Sequence, residues 1–286
     1  MDLKQFVVSP GDKFRFSDCE PGYTGDLTKR DARKMLKTDV KKLRKLQGRL
    51  YSQNSYAVLV IVQGLDGSGK DSVIDHVFSN IKPSGYHVVS FKAPSTEELD
   101  HDYLWRHFKE LPRRGEIVIW NRSHLEEVGV VRVHPELLKK QHLPPKPKKR
   151  NIWKRRFEEI RNFEKFLTDN GIVVVKFYLN VSKEEQAKRL VEREDKPSKR
   201  WKFSLGDANE RQFRAKYIRV YQAAITSTST KWAPWRIIPG DHKWFTRAVV
   251  ASTIVKELES LRLHYPELMP EQRREMRLAR KMLKKD

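Results

Sequence analysis

Residues 57–70 read AVLVIVQGLDGSGK and are followed by DSVIDHVFSN at 71–80. The apolar, largely β-branched run over 57–62 is typical of a strand that is covered on both faces of a sheet. Gly64 to Lys70 then match the pattern G-x-x-x-x-G-K, and a helical stretch starts at Ser72. A glycine-rich loop in this position points its backbone N–H groups, and the positive end of the helix dipole, at a phosphate. The stretch therefore predicts a phosphate-binding loop, or P-loop. We expect Lys70 to supply a mobile cation and the backbone of the loop to cradle phosphate at Gly64, Gly67, Ser68 and Gly69.

Two acidic residues make this loop unusual. Asp71 stands where a Ser or Thr normally binds magnesium, and Ser72 comes one place later. Asp66 places a carboxylate inside the loop itself. One interpretation of Asp66 is a turn-stabilising side chain. We favour a magnesium ligand, or a general base that takes a proton from an attacking phosphate.

The apolar run of the first strand has counterparts along the chain. Further strands are predicted at 87–91, 117–120, 172–179 and around 237–238, and helices at 28–48, 72–80, 99–109, 153–170, 183–192, 211–224 and 271–286. Strands that alternate with helices predict a three-layer α/β/α domain with a mostly parallel sheet. We predict a single domain over 1–286, with an N-terminal helical extension over about 1–55 and an insertion over about 195–232. The proline-broken, basic segment 139–150 is predicted to be a loop or linker.

The composition indicates the kind of partner. The chain has 286 residues and a formal net charge of +22, which indicates a polyanion: nucleic acid, an acidic membrane surface or a phosphate polymer. A lysine-rich surface that only confers solubility is the alternative. Cys19 is the only cysteine, so an intramolecular disulfide is excluded. No signal-like start and no apolar run of about 20 residues occur, so we expect a cytoplasmic protein.

A second group of polar residues, NRSHLEE at 121–127, follows the strand at 117–120. Ligands of parallel sheets bind beyond the carboxyl ends of the strands. Asn121 occupies the place where P-loop enzymes often hold magnesium with an Asp, and Arg122 can reach a phosphate from there. Glu126 and Glu127 are expected on the rim, although acidic residues in the first turn of a helix explain them equally well.

Five motifs in chain order extend the match well beyond the P-loop. GLDGSGKD (64–71), SFKAPSTEELDHDYLWR (90–106), IWNRSHLEEVGVVRVHPE (119–136), WKFSLGD (201–207) and APWRIIPGDHKWFTR (233–247) together resemble the family-2 polyphosphate kinases. The form of the third motif is similar to that of the subgroup that phosphorylates both AMP and ADP. Leu125 and Gly129 depart from this pattern, because an aromatic residue or His and a Leu are usual at these two places.

The resemblance implies a P-loop kinase core with a helical lid, a dependence on Mg²⁺ or Mn²⁺, and a dimer or tetramer. It implies that Asp66, Lys70 and Arg122 are catalytic, that Asp66 and Asn121 lie at the metal, and that Asn121, Glu126 and Glu127 lie at the nucleotide. It assigns phosphate or polyphosphate binding to Lys92, Arg106 and Arg132, and to Lys199 and Lys202 in the lid.

The sequence and the resemblance together predict transfer of the terminal phosphate of inorganic polyphosphate to AMP or ADP, with GMP and GDP as further acceptors, in a reversible reaction. Two alternatives stay open. An ATP-dependent nucleotide kinase accounts for the P-loop but leaves the charge unexplained. A nucleic-acid-binding protein accounts for the charge and for tryptophans in basic stretches, but no motif for such binding is present.

Overall fold

The structure is a computed structural model that describes residues 1–144, 151–202 and 205–284. Its strands are β1 (Ala57–Gln63), β2 (Tyr86–Ser90), β3 (Ile117–Asn121), β4 (Ile172–Asn180) and β5 (Trp235–Pro239). Its helices are α1 (Lys29–Gln53), α2 (Lys70–Phe78), α3 (Thr96–Asp100), α4 (Trp105–Phe108), α5 (Val130–Val133), α6 (Glu136–Lys139), α7 (Ile152–Asp169), α8 (Lys183–Asp195), α9 (Leu205–Gln212), α10 (Arg214–Thr228), α11 (Lys243–Ser260) and α12 (Pro270–Met282). Short 3₁₀ turns include His124–Glu127 and Pro197–Lys202.

The five strands form one parallel sheet in the order β2-β3-β1-β4-β5. β1 is central, with β3 on one side and β4 on the other. Val62 of β1 is opposite Asn121 of β3, and Gln63 is opposite Tyr178 of β4. The P-loop after β1 and the polar loop after β3 therefore leave the same edge of the sheet side by side.

Helices cover both faces of the sheet, and β1 shows why its sequence is apolar throughout. Val58, Val60 and Val62 pack into a core shared with α1, α2 and α11. Leu59 and Ile61 point the other way, into a core shared with α7 and α10. Alternate residues of a strand face opposite sides, so a strand between two helical layers needs apolar residues at every position. The predicted three-layer α/β/α fold with a parallel sheet is confirmed.

Several helix boundaries differ from the predictions. α1 continues past Gly48 to Gln53, because one further turn buries Leu50 completely. Asn54, at φ 53°, then ends the helix in a left-handed conformation, and its N–H bonds to the Leu50 carbonyl. The helix predicted at 99–109 is the two short helices α3 and α4, and the one predicted at 211–224 is divided between α9 and α10.

None of the helices in the described ranges is both long and apolar enough to cross a bilayer. α12 has no buried residue, and its side chains are exposed along the whole helix.

Candidate active site

Three glycines give the P-loop its shape. Gly64, Gly67 and Gly69 have φ angles of 151°, 81° and 99°, a range that side chains rarely tolerate. A Cβ on Gly64 would also lie 2.7 Å from Ser68 Oγ and 2.9 Å from the Leu179 carbonyl oxygen. α2 starts directly after Gly69, so its free N–H groups face the hollow of the loop. The loop thus has the form that its sequence predicts for phosphate binding.

Lys70 lies within this loop and is almost completely buried. Its ammonium donates to the carbonyl oxygens of Gly64 at 2.8 Å and Leu65 at 3.3 Å, and lies 3.8 Å from Asp66 Oδ1. Burial lowers the Lys70 pKa below its ordinary value, against the opposing effect of Asp66. The cation is therefore held within the loop by backbone carbonyls, beside the predicted phosphate site.

Arg122 connects the two loops. Its Nη2 donates to Asp66 Oδ1 at 2.6 Å, and its Nη1 lies 3.6 Å from Glu126 Oε2. Its backbone has a φ of 69°, which is uncommon for a residue with a side chain. The backbone N–H bonds to the Val62 carbonyl at 3.1 Å, so β1 holds this turn in place.

The charges around Arg122 fix the ionisation of the site. Burial disfavours the ionised form of Asp66 and by itself would raise its pKa. The positive charges of Lys70 and Arg122 have the larger effect and hold the Asp66 pKa below its ordinary value. Burial likewise opposes the Arg122 cation, but Glu126 and Asp66 outweigh it and raise the Arg122 pKa. Asp66 and Arg122 are thus held in their charged forms as an ion pair beside the P-loop.

Asn121 and Asp71 form a second polar pair beside the loop. Asn121 Nδ2 donates to Asp71 Oδ1 at 2.8 Å. Asn121 Oδ1 is buried and finds no hydrogen-bond partner among the described residues. A buried carbonyl oxygen without a donor is poorly satisfied, so it offers a ligand position to a cation.

A cleft of about 690 Å³ opens over the P-loop. Its walls come from α2, the ends of β2 and β3, α8, and the start of α11. Carboxylates at Asp66, Asp71, Asp75 and Glu192 also line it. Cationic side chains predominate, namely Lys70, Lys92, Arg122, Arg189, Arg193, Lys243 and Arg247. We call it the P-loop cleft.

A neighbouring cleft of about 500 Å³ lies on the other side of Arg122 and combines an apolar wall with cations. Phe91, Lys92 and Arg122 line both clefts, so the two meet at these residues. Apolar side chains, among them Leu99, Val130, Val131 and Leu137, form much of its wall. We call it the side cleft.

The remaining predicted residues are distributed as follows. Arg106 lines the side cleft, where its Nη2 donates to the Lys92 carbonyl at 2.9 Å and its Nε lies 3.4 Å from Glu98. Arg132 lines neither cleft; its guanidinium lies 5.8 Å from the Trp153 ring centroid. The side chains of Lys199 and Lys202 lie outside the described part of the chain.

Glu127 lies deeper than the rim position that we expected. It is 6% exposed, accepts from Arg156 Nη1 at 3.3 Å and from Gln141 Nε2 at 2.7 Å, and borders the side cleft. Burial raises the Glu127 pKa above its ordinary value, in spite of Arg156. A carboxylate with two such partners forms part of the wall beneath the cleft.

Two residues that the sequence reasoning missed hold the P-loop from behind. Arg189 on α8 donates to the carbonyls of Ser68 at 3.0 Å and Gly240 at 2.6 Å, among others, and to Glu185 at 2.7 Å. Gln186 donates to the Asp66 carbonyl at 2.8 Å. Both are more than a hundred residues from the loop, and only their place on a predicted helix after the fourth strand could have indicated them.

Comparisons with known proteins agree with this geometry. A sequence model of the family Polyphosphate kinase 2 (PPK2) matches residues 26–265. A relative from Rhodopseudomonas palustris, named ADP-polyphosphate phosphotransferase, is 42% identical over 287 residues, which is 99% of this chain and 98% of the relative. A relative from Meiothermus ruber, named AMP/ADP-polyphosphate phosphotransferase, is 41% identical over 93% of this chain and 96% of its own.

A solved structure shows the same fold. The crystal structure of Polyphosphate Kinase 2 from Arthrobacter aurescens superimposes with a TM-score of 0.88 at 33% identity. The match covers 97% of this chain and 96% of that one.

Proposed function

This chain belongs to the polyphosphate kinase 2 family, and on that basis we propose that it transfers the terminal phosphate of inorganic polyphosphate to AMP, ADP or both. The membership confirms the resemblance drawn from the sequence motifs. The observation that carries the proposal is the meeting of two unlike clefts at Arg122. One is polar and cationic, the other is partly apolar, and a phosphate at their junction is within reach of both.

We assign the polyphosphate chain to the P-loop cleft. Its lining is rich in Lys and Arg side chains and includes Phe91 and Trp201 as its only large apolar members among the described residues. Such a surface suits a polymer of phosphates better than a donor with a base and a sugar. The formal charge of +22 extends this attraction over the whole molecule.

We assign the acceptor nucleotide to the side cleft. Its apolar wall offers a surface for the base, and Lys92, Arg106 and Arg122 offer cations for the phosphates. The names of the two relatives support AMP and ADP as acceptors of this protein. GMP and GDP are further candidates, and a relative from Pseudomonas aeruginosa is named GDP-polyphosphate phosphotransferase.

Three residues that line the P-loop cleft fit a divalent metal. Asp66, Asp71 and Asn121 present oxygen atoms, and Asn121 Oδ1 lacks a donor among the described residues. In the described part of the chain, no group of three or more His, Cys, Asp or Glu side chains could hold a metal ion by itself. This suits Mg²⁺, which keeps several waters and takes other ligands from substrate phosphates, and Mn²⁺ is an alternative. When bound, the ion would neutralise charge that develops on the transferred phosphate.

The protein's own residues supply positioning and charge. In the reaction, an oxygen of the acceptor's terminal phosphate bonds to the terminal phosphorus of polyphosphate. The P–O bond to the next phosphate breaks, and its electron pair leaves with the shortened polymer. The amides of the P-loop, Lys70 and Arg122 would hold the phosphate in line during this transfer.

Asp66 is better suited to a positioning role than to that of a base. The low pKa of its carboxylate makes it a weak proton acceptor. A phosphate monoester with a second pKa near about 6 is already mostly ionised at neutral pH, so no proton has to be removed. We therefore propose that Asp66 positions Arg122 and the metal ion.

The remaining sequence predictions belong to the same proposal. Of the lid predicted over about 195–232, which would exclude water from the donor, Trp201 lines the P-loop cleft, whereas α10 packs into the core beside the sheet. A single domain with an N-terminal extension over about 1–55, a homo-oligomeric state and a cytoplasmic location stay predictions.

A comparison of donors tests the proposal. We expect ATP to form when ADP, polyphosphate and Mg²⁺ are supplied, and AMP with ATP as the donor to react far more slowly. Lys70→Ala should reduce the polyphosphate reaction by about a hundredfold or more, since it removes a cation from the transferring phosphate. Lys82→Ala, at an exposed lysine before β2, serves as the control. No ATP from ADP and polyphosphate, or equal loss in both variants, would contradict the proposal.

A further inference from the structure

Gln63 is the last residue of β1 and directly precedes the P-loop. Its side chain is completely buried. Its Oε1 accepts from Ser123 Oγ at 3.3 Å, and its Nε2 donates to Glu126 Oε1 and, at 3.3 Å, to the Tyr221 hydroxyl. One buried amide thus connects β1, the loop that carries Arg122, and helix α10.

Glu126 is held asymmetrically by these contacts. Gln63 and the Tyr221 hydroxyl, at 3.4 Å, both donate to its Oε1. Its other oxygen, Oε2, lies 3.6 Å from Arg122 Nη1. Two neutral donors therefore fix one side of the carboxylate, and the opposite side faces the arginine that separates the two clefts.

Gly129 leaves the space that Tyr221 occupies. A Cβ at position 129 would lie 2.5 Å from Tyr221 Cε1 and 2.9 Å from its hydroxyl oxygen. Contacts this short are not tolerated, so any side chain at 129 would displace the ring. The φ of Gly129 is −100°, so a left-handed backbone is not the reason for glycine here. The Leu that is usual at this position in the family would therefore collide with Tyr221 of α10.

We propose that Gln63 and Tyr221 are positioning residues that fix Glu126 against Arg122, and that Gly129 provides the room that Tyr221 needs to do so. The inference rests on the proposed function and concerns the acceptor side of that reaction. Gln63, Glu126 and Tyr221 do not line the P-loop cleft, Glu126 lines the side cleft, and Arg122 lines both. Loss of the contacts should therefore lower nucleotide turnover more than it affects polyphosphate binding.

Substitutions test the two donors separately. A tenfold change in rate corresponds to about 1.4 kcal/mol of activation free energy. We expect Gln63→Leu to lower kcat with AMP and ADP about tenfold. Tyr221→Phe should lower it about threefold, because the hydrogen bond from the Tyr221 hydroxyl to Glu126 is the longer of the two. Gly129→Ala should resemble Tyr221→Phe. The KM for polyphosphate should stay within about twofold in all three.

Tyr178→Phe is the matched control. Tyr178 is also buried, and its ring centroid lies 5.4 Å from that of Tyr221. Its hydroxyl has no hydrogen-bond partner among the described residues. Removal of this hydroxyl should leave kcat unchanged, so the control separates the effect of the bond to Glu126 from a general disturbance of α10.

Gln63→Glu provides a signature that a merely structural role would not give. A protonated carboxyl at this position can donate to Glu126 as the amide does, whereas an ionised one repels it. Two adjacent carboxyls share a proton. The charged groups around them are Arg122 with its partner Asp66, Lys70 and Glu127, and the titratable tyrosines are Tyr178, Tyr217 and Tyr221. The ratio of kcat in this variant to that of the wild type should therefore be highest at pH 5.5 and fall at least about threefold by pH 8.5.

The outcomes are distinguishable from those of the proposed function. The wild type must first convert ADP and polyphosphate to ATP, and its failure would overturn the proposed function itself. With an active wild type, a flat pH ratio in Gln63→Glu together with unchanged kcat in Gln63→Leu and Tyr221→Phe would overturn the positioning role. If Gln63→Leu does not fold, by circular dichroism, Tyr221→Phe and the pH ratio decide, since both keep a polar or isosteric side chain.

Discussion

Arg122 is the residue that contacts both Asp66 and Glu126. It bonds to Asp66, faces Glu126, and lies where the P-loop cleft meets the side cleft. A planar guanidinium can contact both carboxylates and a phosphate together, whereas an ammonium is a single point of charge. Arg122→Lys should therefore keep the charge but lose the geometry.

We expect Arg122→Lys to lower kcat with ADP and polyphosphate about a hundredfold, with a smaller change in the KM for polyphosphate. Steady-state kinetics with both substrates varied provide the measurement. Arg113→Lys, at an exposed arginine before β3, is the control and should react as the wild type does. A loss below about threefold in Arg122→Lys would show that the bridge between the two carboxylates is dispensable.

At the scale of the element, α8 holds the P-loop in place through Arg189. This guanidinium bonds to carbonyls of the loop and of the turn between β5 and α11, and a glutamate one helical turn earlier completes its contacts. Arg189 is 6% exposed. Because its N–H groups already bond to the protein, we expect Arg189 to fix the shape of the loop and not to bind the substrate.

Arg189→Met should lower the free energy of unfolding by about 2–4 kcal/mol, because it leaves several buried carbonyls without donors. It should also raise the KM for polyphosphate, since the loop loses its support. Chemical denaturation and kinetics on the folded fraction measure the two effects. Arg113→Met is the control. An unchanged unfolding free energy would mean that water replaces the guanidinium.

The elements that the sequence predicted best are those with a strong local pattern. β1, β4, α2 and α7 were placed within two residues, because continuous apolar runs and the P-loop motif depend on neighbours in sequence. The extension of α1 past Gly48 was missed because burial of Leu50 depends on contacts that are distant in sequence.

The site was predictable to the same degree. Asp66, Lys70, Asn121 and Arg122 lie on two adjacent strand ends, and parallel-sheet geometry brings such ends together. Arg189, Gln63 and Tyr221 could not be found in this way. Their roles depend on which backbone carbonyl or carboxylate the packed helices bring within reach, and no spacing in the sequence encodes that. The placement of Glu127 on the rim was wrong for the same reason, since Arg156 of α7 covers it.

At the scale of the whole molecule, the formal charge of +22 should make donor binding dependent on salt. Attraction between a polyanion and many exposed cations is screened as the Debye length falls from about 10 Å at 0.1 M to about 3 Å at 1 M. We expect the KM for long-chain polyphosphate to rise about tenfold between 50 and 500 mM KCl. The KM for ADP should change less. Equal salt dependence for both substrates would show that the surface charge does not recruit the polymer.

Stability should fall with acid pH through His107. This histidine is 2% exposed, and its burial, with His124 and Arg106 nearby, holds its pKa well below 6.5. In the unfolded chain His107 is protonated as the pH falls below about 6.5, whereas in the folded chain it stays neutral to lower pH. The contribution of His107 is therefore complete above that pH and declines as the pH falls towards the folded pKa, by up to about 1.4 kcal/mol per pH unit.

His107→Asn should make the unfolding free energy depend less steeply on pH between pH 6.5 and 5. The slope should fall by up to about 1.4 kcal/mol per pH unit, which corresponds to one proton. Asn keeps a donor for the Tyr103 carbonyl, which the ring Nδ1 contacts at 3.1 Å. Denaturation at several pH values supplies the slope. His87→Asn, at an exposed position of β2, is the control. The same slope in wild type and His107→Asn would contradict this assignment.

The central claim, that a phosphate passes from a polymer in the P-loop cleft to a nucleotide in the side cleft, is tested most directly by following the phosphorus. Polyphosphate, ADP and Mg²⁺ are incubated with the protein, and ³¹P NMR records ATP, internal phosphates of the polymer and orthophosphate together. We predict one internal phosphate lost for each ATP formed, with almost no orthophosphate, and no such exchange with Lys70→Ala. Release of orthophosphate without ATP, or no change in the polymer, would contradict the claim.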